Sequence, residues 1–375
     1  MSFCLSNRAP ADTRIVVAMS GGVDSSVTAA LLAKKGYEVI GVTLQLYNPK
    51  HSVKRKGACC AGQDIEDARN VAEKLGIPHY VLNYESKFQK DVIDEFADAY
   101  VRGETPIPCV LCNQTVKFRD LLLAAQELGA ETLATGHYVQ LVNKGSNIEL
   151  HCAEDETKDQ SYFLFATTQK QLEFLSFPLG SMRKEETRRL AEQFVLPVFD
   201  KPDSQDICFV SEGSYANLVN KIRPDAAKPG DIVEQSGRVI GTHKGITHFT
   251  IGQRRGLNLS DENKPMYVIQ IDPDQNRLVV GPWDALATST MVLANVNWLG
   301  DPIKYEKTMG CEVKVRSMRP PVEAEIQFLS DDKANVTLVT PEHGVAPGQA
   351  CVFYQGTRLL GGGWIQRPNT KILAA

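Results

Sequence analysis

At 375 residues the chain is too long for one ordinary domain, and two or three are expected. Hydrophobic residues make up 43% and charged residues 23%, as in a globular protein with ample core. No apolar run reaches the roughly 18 residues of a membrane span. The opening MSFCLSNRAPADTR lacks the apolar stretch of a signal peptide, which points to the cytoplasm. The formal net charge of −4 excludes a chain that coats nucleic acid indiscriminately, but leaves a local basic face open. Nine cysteines in a reducing compartment do not read as a disulfide framework, so clustered ones become candidates for chemistry.

In chain order, the β-branched run Arg14 to Met19 predicts a strand, followed by Ser-Gly-Gly and a helix to about Lys35. Glu38 to Leu46 predicts a second strand, leading into a basic loop with Lys54, Arg55, Lys56 and Gly57. Ile65, Ala68, Val71, Ala72 and Leu75 recur three or four apart, the stripe of an amphipathic helix. His79 to Leu82 is a third strand, and Phe88, Val92, Phe96 and Tyr100 mark a further helix. Another helix is expected over about Val116 to Leu128, and a strand over Thr132 to Thr135. This alternation implies an α/β fold with a doubly wound, mostly parallel sheet.

After about residue 205 the pattern becomes short alternating runs such as MYVIQIDPDQNRLVVG and EAEIQFLSDDKANVTLVT, separated by turn residues. Two small β-rich modules are expected, the last a β-barrel, with a boundary near Trp283 to Met291. The domains are therefore drawn as 1–205, 206–287 and 288–375.

Ser20, Gly21, Gly22, Val23, Asp24, Ser25 and Ser26 lie between a predicted strand and a predicted helix. Glycines permit a tight turn and close approach, and a helix start offers unpaired N–H groups, so the segment suits an anion. Neither a P-loop nor a G-x-G-x-x-G pattern is present. The segment resembles the SGGxDS loop of the PP-loop ATP pyrophosphatases, which cleave ATP between its α- and β-phosphates and place AMP on a carbonyl oxygen. The resemblance implies ATP contacts from this loop, Mg²⁺ at Asp24, and Val42, Thr43 and Leu44 beside adenine.

Further motifs narrow the resemblance. PCxxCN (Pro108 to Asn113), ATGHY (Ala134 to Tyr138), KDQSYFL (Lys158 to Leu164), SQDICF (Ser204 to Phe209) and GQRRGL (Gly252 to Leu257) together are similar to the tRNA-specific 2-thiouridylases. That family implies a tRNA-uridine 2-sulfurtransferase acting on the wobble uridine of tRNAs for Lys, Glu and Gln. It also implies sulfur supplied by a cysteine desulfurase through a relay protein. By resemblance Cys208 carries a persulfide and Cys112, expected just before a helix, resolves it. Gly136 and His137 would stand near ATP.

Many relatives carry Asp where this chain has Cys109. Cys109 could replace that acid/base, or Cys109, Cys112 and Cys208 could hold a [4Fe–4S] cluster that delivers sulfide; a structural zinc with His137 is a further reading. Lys158, Asp159, Gln160, Arg183, Arg188, Arg189, Arg254, Arg255, Arg316 and Arg319 become tRNA contacts in this family, although such charges are otherwise ordinary solvated faces. Lys184 belongs to the same basic cluster. Cys59-Cys60 reads as loop structure, and Cys4, Cys152, Cys311 and Cys351 as small hydrophobes. Two other readings use the glycine loop: a PP-loop ligase that forms an amide on a small molecule, and a non-catalytic nucleotide-binding RNA adaptor.

Overall fold

A computed structural model of the chain describes residues 9–47, 62–145, 147–203, 207–210, 215–259, 265–302, 305 and 307–368. Cys4, Cys59-Cys60 and the basic loop from Lys54 to Gly57 lie outside the described residues. The chain forms two compact units, one of Met1–Ile93, Cys109–Glu212 and Thr357–Leu359, the other of Asp94–Pro108, Gly213–Gly356 and Leu360–Ala375. Among the described residues, no helix is long and apolar enough to cross a membrane.

The first unit is built on strands β1 (Arg14–Ala18), β2 (Glu38–Gln45), β3 (His79–Asn83) and β4 (Thr132–Ala134). A hairpin, β5 (Val139–Lys144) and β6 (Asn147–Cys152), precedes the two-residue strand β7 (Leu175–Ser176). The sheet order is β3-β2-β1-β4-β7, parallel throughout. Ile15, Val16 and Val17 are wholly buried, as expected of a parallel strand covered on both faces. Helix α1 (Val23–Lys34) follows β1, and α2 (Gly62–Leu75) buries Ile65, Ala68, Val71 and Ala72. The two helices share a core with β1 and β2.

Two helical stretches differ from the sequence expectation. The Phe88–Val92–Phe96–Tyr100 stripe is buried as expected, but Gln89–Asp94 is wound as a π-helix. The helix expected from about Val116 starts at Pro108: Pro108–Leu111 is α-helical, Cys112–Leu121 is π-helical and Leu122–Glu127 returns to α. Apolar spacing marked only the core-facing end of this run, where Val116, Phe118 and Leu121 are buried. Its first turn, Pro-Cys-Val-Leu, is an unbroken apolar run and so shows no three-to-four spacing.

The second unit is β-rich. Strands β8 (Gly230–Glu234), β9 (Val239–His243), β10 (Tyr267–Asp272) and β11 (Arg277–Gly281) form a four-stranded sheet in the order β10-β11-β8-β9. Ile232, Val268, Leu278 and Val280 are in its core. Strands β12 (Ala287–Trp298), β13 (Met309–Lys314), β14 (Val322–Ser330), β15 (Lys333–His343), β16 (Ala350–Gln355) and β17 (Arg358–Ile365) run β12-β15-β14-β13-β16-β17, and β17 pairs back with β12. The six strands close a barrel, which leaves no free sheet edge. Strand β14 shows why: Ala324, Ile326 and Phe328 point inward while Glu323, Glu325 and Gln327 face out, the two-residue period of a half-buried strand.

Candidate active site

Strand order reverses between β1 and β4, and open α/β sheets hold ligands beyond the carboxyl ends of strands at such a point. The Ser20–Ser26 turn leaves β1 there, and Gly136-His137 leaves β4. A cavity of about 480 Å³ opens between them, lined by Ser20, Gly22, Val23, Asp24 and Ser25 of the turn, and by Gly136 and His137. Two glycines make this approach possible. Gly21 has φ +73°, and a Cβ on it would lie 2.1 Å from the Asp64 carbonyl oxygen. A Cβ on Gly136 would lie 2.8 Å from the Ser25 backbone nitrogen.

Not every residue of the turn reaches the cavity. Ser26 is fully buried, and its hydroxyl donates to the Gly22 carbonyl at 2.8 Å, closing the helix start. Ser25 Oγ accepts from Ser20 N at 3.1 Å. Gly21 gives shape to the turn, and its carbonyl accepts from Lys201 Nζ at 2.9 Å. Strand alternation decides the other wall: Val42, Leu44 and Leu46 line the cavity. Thr43, expected beside adenine, points to the opposite face, where its hydroxyl donates to Met19 O at 2.7 Å and meets His79 Nε2 at 2.8 Å.

Charge in the cavity is organised by residues that the sequence did not connect: Lys184, Lys158 and Arg188, read as basic tRNA contacts, and Asp203 and Lys201, given no role. Lys184 starts helix α3 (Lys184–Gln193), and its Nζ lies 2.7 and 2.8 Å from the two Asp24 carboxylate oxygens and 2.9 Å from Asp203. Tyr138 OH donates to Asp24 at 2.8 Å. Asp203 also receives Lys158 at 2.9 Å and Arg188 at 2.7 Å. Although its partial burial opposes ionisation, those cations pull its pKa down to about 2. Lys201 pairs with Asp64 and Asp67. Burial pushes the His137 imidazole well below its usual range, assisted by Lys117. His137 Nδ1 meets Thr135 Oγ1 at 2.7 Å, and its ring packs edgewise on Phe118 and Phe177. A neutral imidazole, backbone N–H groups and four lysines (Lys117, Lys158, Lys184, Lys201) thus face one cavity. This donor set fits a polyphosphate and an aromatic base.

The set does not fit a protein-held Mg²⁺. Asp24, expected to hold the ion, already has both carboxylate oxygens against the Lys184 ammonium, so its charge is compensated. Among the described residues, no three His, Cys, Asp or Glu side chains are grouped to hold a metal ion.

Cys112 lies within the helical run that starts at Pro108 rather than just ahead of it, and Cys109 occupies the first turn. Cys109 is exposed, whereas Cys112 and Cys208 are half-buried. Neither Cys112 nor Cys208 is among the residues that line the cavity; the Cys208 carbonyl accepts from Tyr47 OH at 3.2 Å, two residues past the end of β2, and Phe209 packs edgewise on Phe88. Among the basic candidates, Arg183, Arg189, Arg254, Arg255 and Arg319 are exposed. The others are engaged internally. Arg188 donates to Lys201 O as well as to Asp203, and Arg316 to Gly344 O. Asp159 accepts from Ala153 N and Ser161, and Gln160 from Tyr138 N.

Three family models match: "tRNA methyl transferase HUP domain" over residues 13–212, "tRNA methyl transferase PRC-barrel domain" over 217–282 and "Aminomethyltransferase beta-barrel domain" over 288–365. A tRNA-specific 2-thiouridylase of Paracoccus denitrificans is 57% identical over 359 residues, covering 95% of this chain and 92% of the relative. The Rickettsia felis 2-thiouridylase is 59% identical over 353 residues, covering 94% and 96%. A solved NMN synthetase from Francisella tularensis aligns over 57% of this chain and 78% of its own, at 17% identity and TM-score 0.33, too distant to bear on function. With near-complete coverage at this identity, the chain belongs to the tRNA-specific 2-thiouridylase family.

Proposed function

We propose that the protein thiolates C2 of the wobble uridine in tRNAs for Lys, Glu and Gln at the expense of ATP, with sulfur delivered by a cysteine desulfurase relay. The uridine O2 attacks the α-phosphorus and displaces pyrophosphate, which converts a poor leaving group into AMP. The outer sulfur of a Cys208 persulfide then attacks C2 and AMP departs. The Cys112 thiolate attacks the Cys208 sulfur, leaving 2-thiouridine and a Cys112–Cys208 disulfide that an external two-electron reductant must reset. The target base has to leave its stack to reach the cavity.

The observation that carries this reading is the attachment of the Cys208 backbone to Tyr47, two residues past β2 and next to Leu46, which lines the cavity with Leu44 of the strand. The segment proposed to bear sulfur is thus tied to the chain that leaves β2 beside the proposed nucleotide cradle. The chain's groups supply charge compensation for pyrophosphate (Lys184, Lys201), a neutral wall (His137) and two thiols 96 positions apart in sequence. Any Mg²⁺ would travel on phosphate oxygens, and no step is assigned to it. An amide-forming ligase has no use for the two thiols, and neither has a non-catalytic adaptor that only holds nucleotide and RNA.

The test is incubation with unmodified tRNA, ATP, Mg²⁺ and a sulfide or persulfide source, read on a mercury-containing gel. Cys208→Ser should lose thiolation by on the order of a thousandfold or more while retaining ATP–pyrophosphate exchange. Thiolation surviving in that variant refutes the persulfide route.

A further inference from the structure

The proposed reaction uses Cys112 and Cys208 and gives Cys109 no work. Yet Cys109 and Cys112 form a C-x-x-C pair whose geometry is set by the helix that carries them. Pro108–Leu111 is one turn of α-helix, and Leu111 keeps helical angles (φ −59°, ψ −42°) into the stretch that starts at Cys112. Val110, between the two thiols, is wholly buried and anchors the turn. Residues three apart on a helix have β-carbons about 5–6 Å apart, and a disulfide needs about 3.5–4.5 Å. A small contraction of the turn therefore brings the two sulfurs into bonding range.

Exposure separates the thiols. Cys109 is exposed, whereas Cys112 and Cys208 are half-buried. A reductant must attack a disulfide at one of its sulfurs, so access decides which links are easily opened. A Cys112–Cys208 link presents two half-buried sulfurs to a bulky protein dithiol. A Cys109–Cys112 link presents an exposed one.

We propose that Cys109 is a second resolving nucleophile, which moves the spent disulfide from Cys112–Cys208 to the exposed Cys109–Cys112 pair for reduction by a protein dithiol. The Cys109 thiolate attacks the Cys112 sulfur, the bond to Cys208 breaks, and the proton lost at Cys109 is made good at Cys208. One S–S bond replaces another, with no net gain or loss of electrons. The protein dithiol then supplies two electrons and two protons to Cys109–Cys112 and becomes a disulfide itself. The inference rests on the persulfide route of the proposed function and adds how the chain is reset between rounds.

The experiment takes the full chain through one round of thiolation with a persulfide donor, unmodified tRNA and ATP but no reductant, and maps its unreduced peptides by mass spectrometry. Both the Cys112–Cys208 and the Cys109–Cys112 links should be found. The donor is then removed, and recovery of the Cys208 thiol is timed with either thioredoxin or a small phosphine as reductant. Cys109→Ser is brought to its Cys112–Cys208 link with diamide, which requires no turnover. The thioredoxin rate relative to the phosphine rate should be lower in this variant by about tenfold or more, because only the phosphine is small enough to reach half-buried sulfur. A ratio equal to that of the wild type, or a Cys112–Cys208 link with no Cys109–Cys112 link beside it, overturns the relay and leaves the proposed function standing. Thiouridine made with no Cys112–Cys208 link, or only by a chain that holds iron, removes the persulfide route and both ideas with it.

Discussion

The two β-containing cores of this chain solve opposite problems. The closed barrel has a core of alternating apolar side chains such as Ile326, Phe328, Val336 and Phe353, each at most 4% exposed. At the carboxyl edge of the parallel sheet, buried or half-buried Asp24, Asp64, Asp203, Lys184 and Lys201 crowd one cavity, balanced against one another. The barrel is built for stability. The cavity accepts the desolvation cost of buried charges in return for a prepared electrostatic surface.

The sharpest way to break that comparison is to damage each region by itself. Phe353→Ala should cost about 3 to 5 kcal/mol in chemical denaturation, since it opens a void in a closed, well-packed core. ATP affinity measured under native conditions should not move. Gly136→Ala should do the reverse, weakening ATP by about a hundredfold in a binding titration, because its new Cβ displaces the Ser25 backbone that the phosphates would meet. In the barrel strand β13, Gly310→Ala is the control, because nothing lies within 4 Å of the added Cβ.

The exposed arginines give a smaller effect. Replacing Arg183 and Arg189 together by Ala should weaken tRNA binding about tenfold and lower the slope of log affinity against log salt by about 1 to 2. An unchanged slope would show that neither meets phosphate. Arg188 is unsuited to that test, because its removal also disturbs Asp203.

The smallest expected effect is on pH. The unfolded chain binds a proton on His137 near pH 6.5 that the folded pocket refuses. Stability from this group is therefore complete above about pH 6.5 and declines as pH falls below it, by up to about 1.4 kcal/mol per pH unit. Thermal scans from pH 7.5 to 5.5 should show a flatter decline for His137→Phe than for wild type. His79, whose burial shifts it in the same direction, keeps part of the slope in both.

What could be read in the sequence follows from which signals are periodic. The alternating strands and helices of the first unit, the Ser20–Ser26 turn and the alternation of the barrel strands are local patterns, and each is visible in a short window. Thr43 was misplaced because a motif names a strand but not the face of each residue. The two-residue period places Val42 and Leu44 in the cavity and turns Thr43 to His79. Lys184, Lys201 and Asp203 were missed as site residues because their partners are 160, 180 and 45 positions away, and no window spans such separations. Asp159 and Gln160 sit in a recognisable motif, yet their polar atoms hold up the loop itself.

The π-helical stretch from Cys112 to Leu121 has a consequence of its own. Each of its turns closes a ring one residue larger than an α-turn, so the stretch behaves like an α-helix into which extra length has been spliced. The spliced length lets the end at Cys109 and Cys112 face outward while Phe118 and Leu121 stay locked in the interior. Deleting a single residue between 113 and 117 would let the helix tighten to ordinary winding and swing the sulfur-bearing end about a quarter turn around its axis. The direction in which this end points is thus set by chain length as well as by side chains such as Val116 in the core and Lys117 in the cavity.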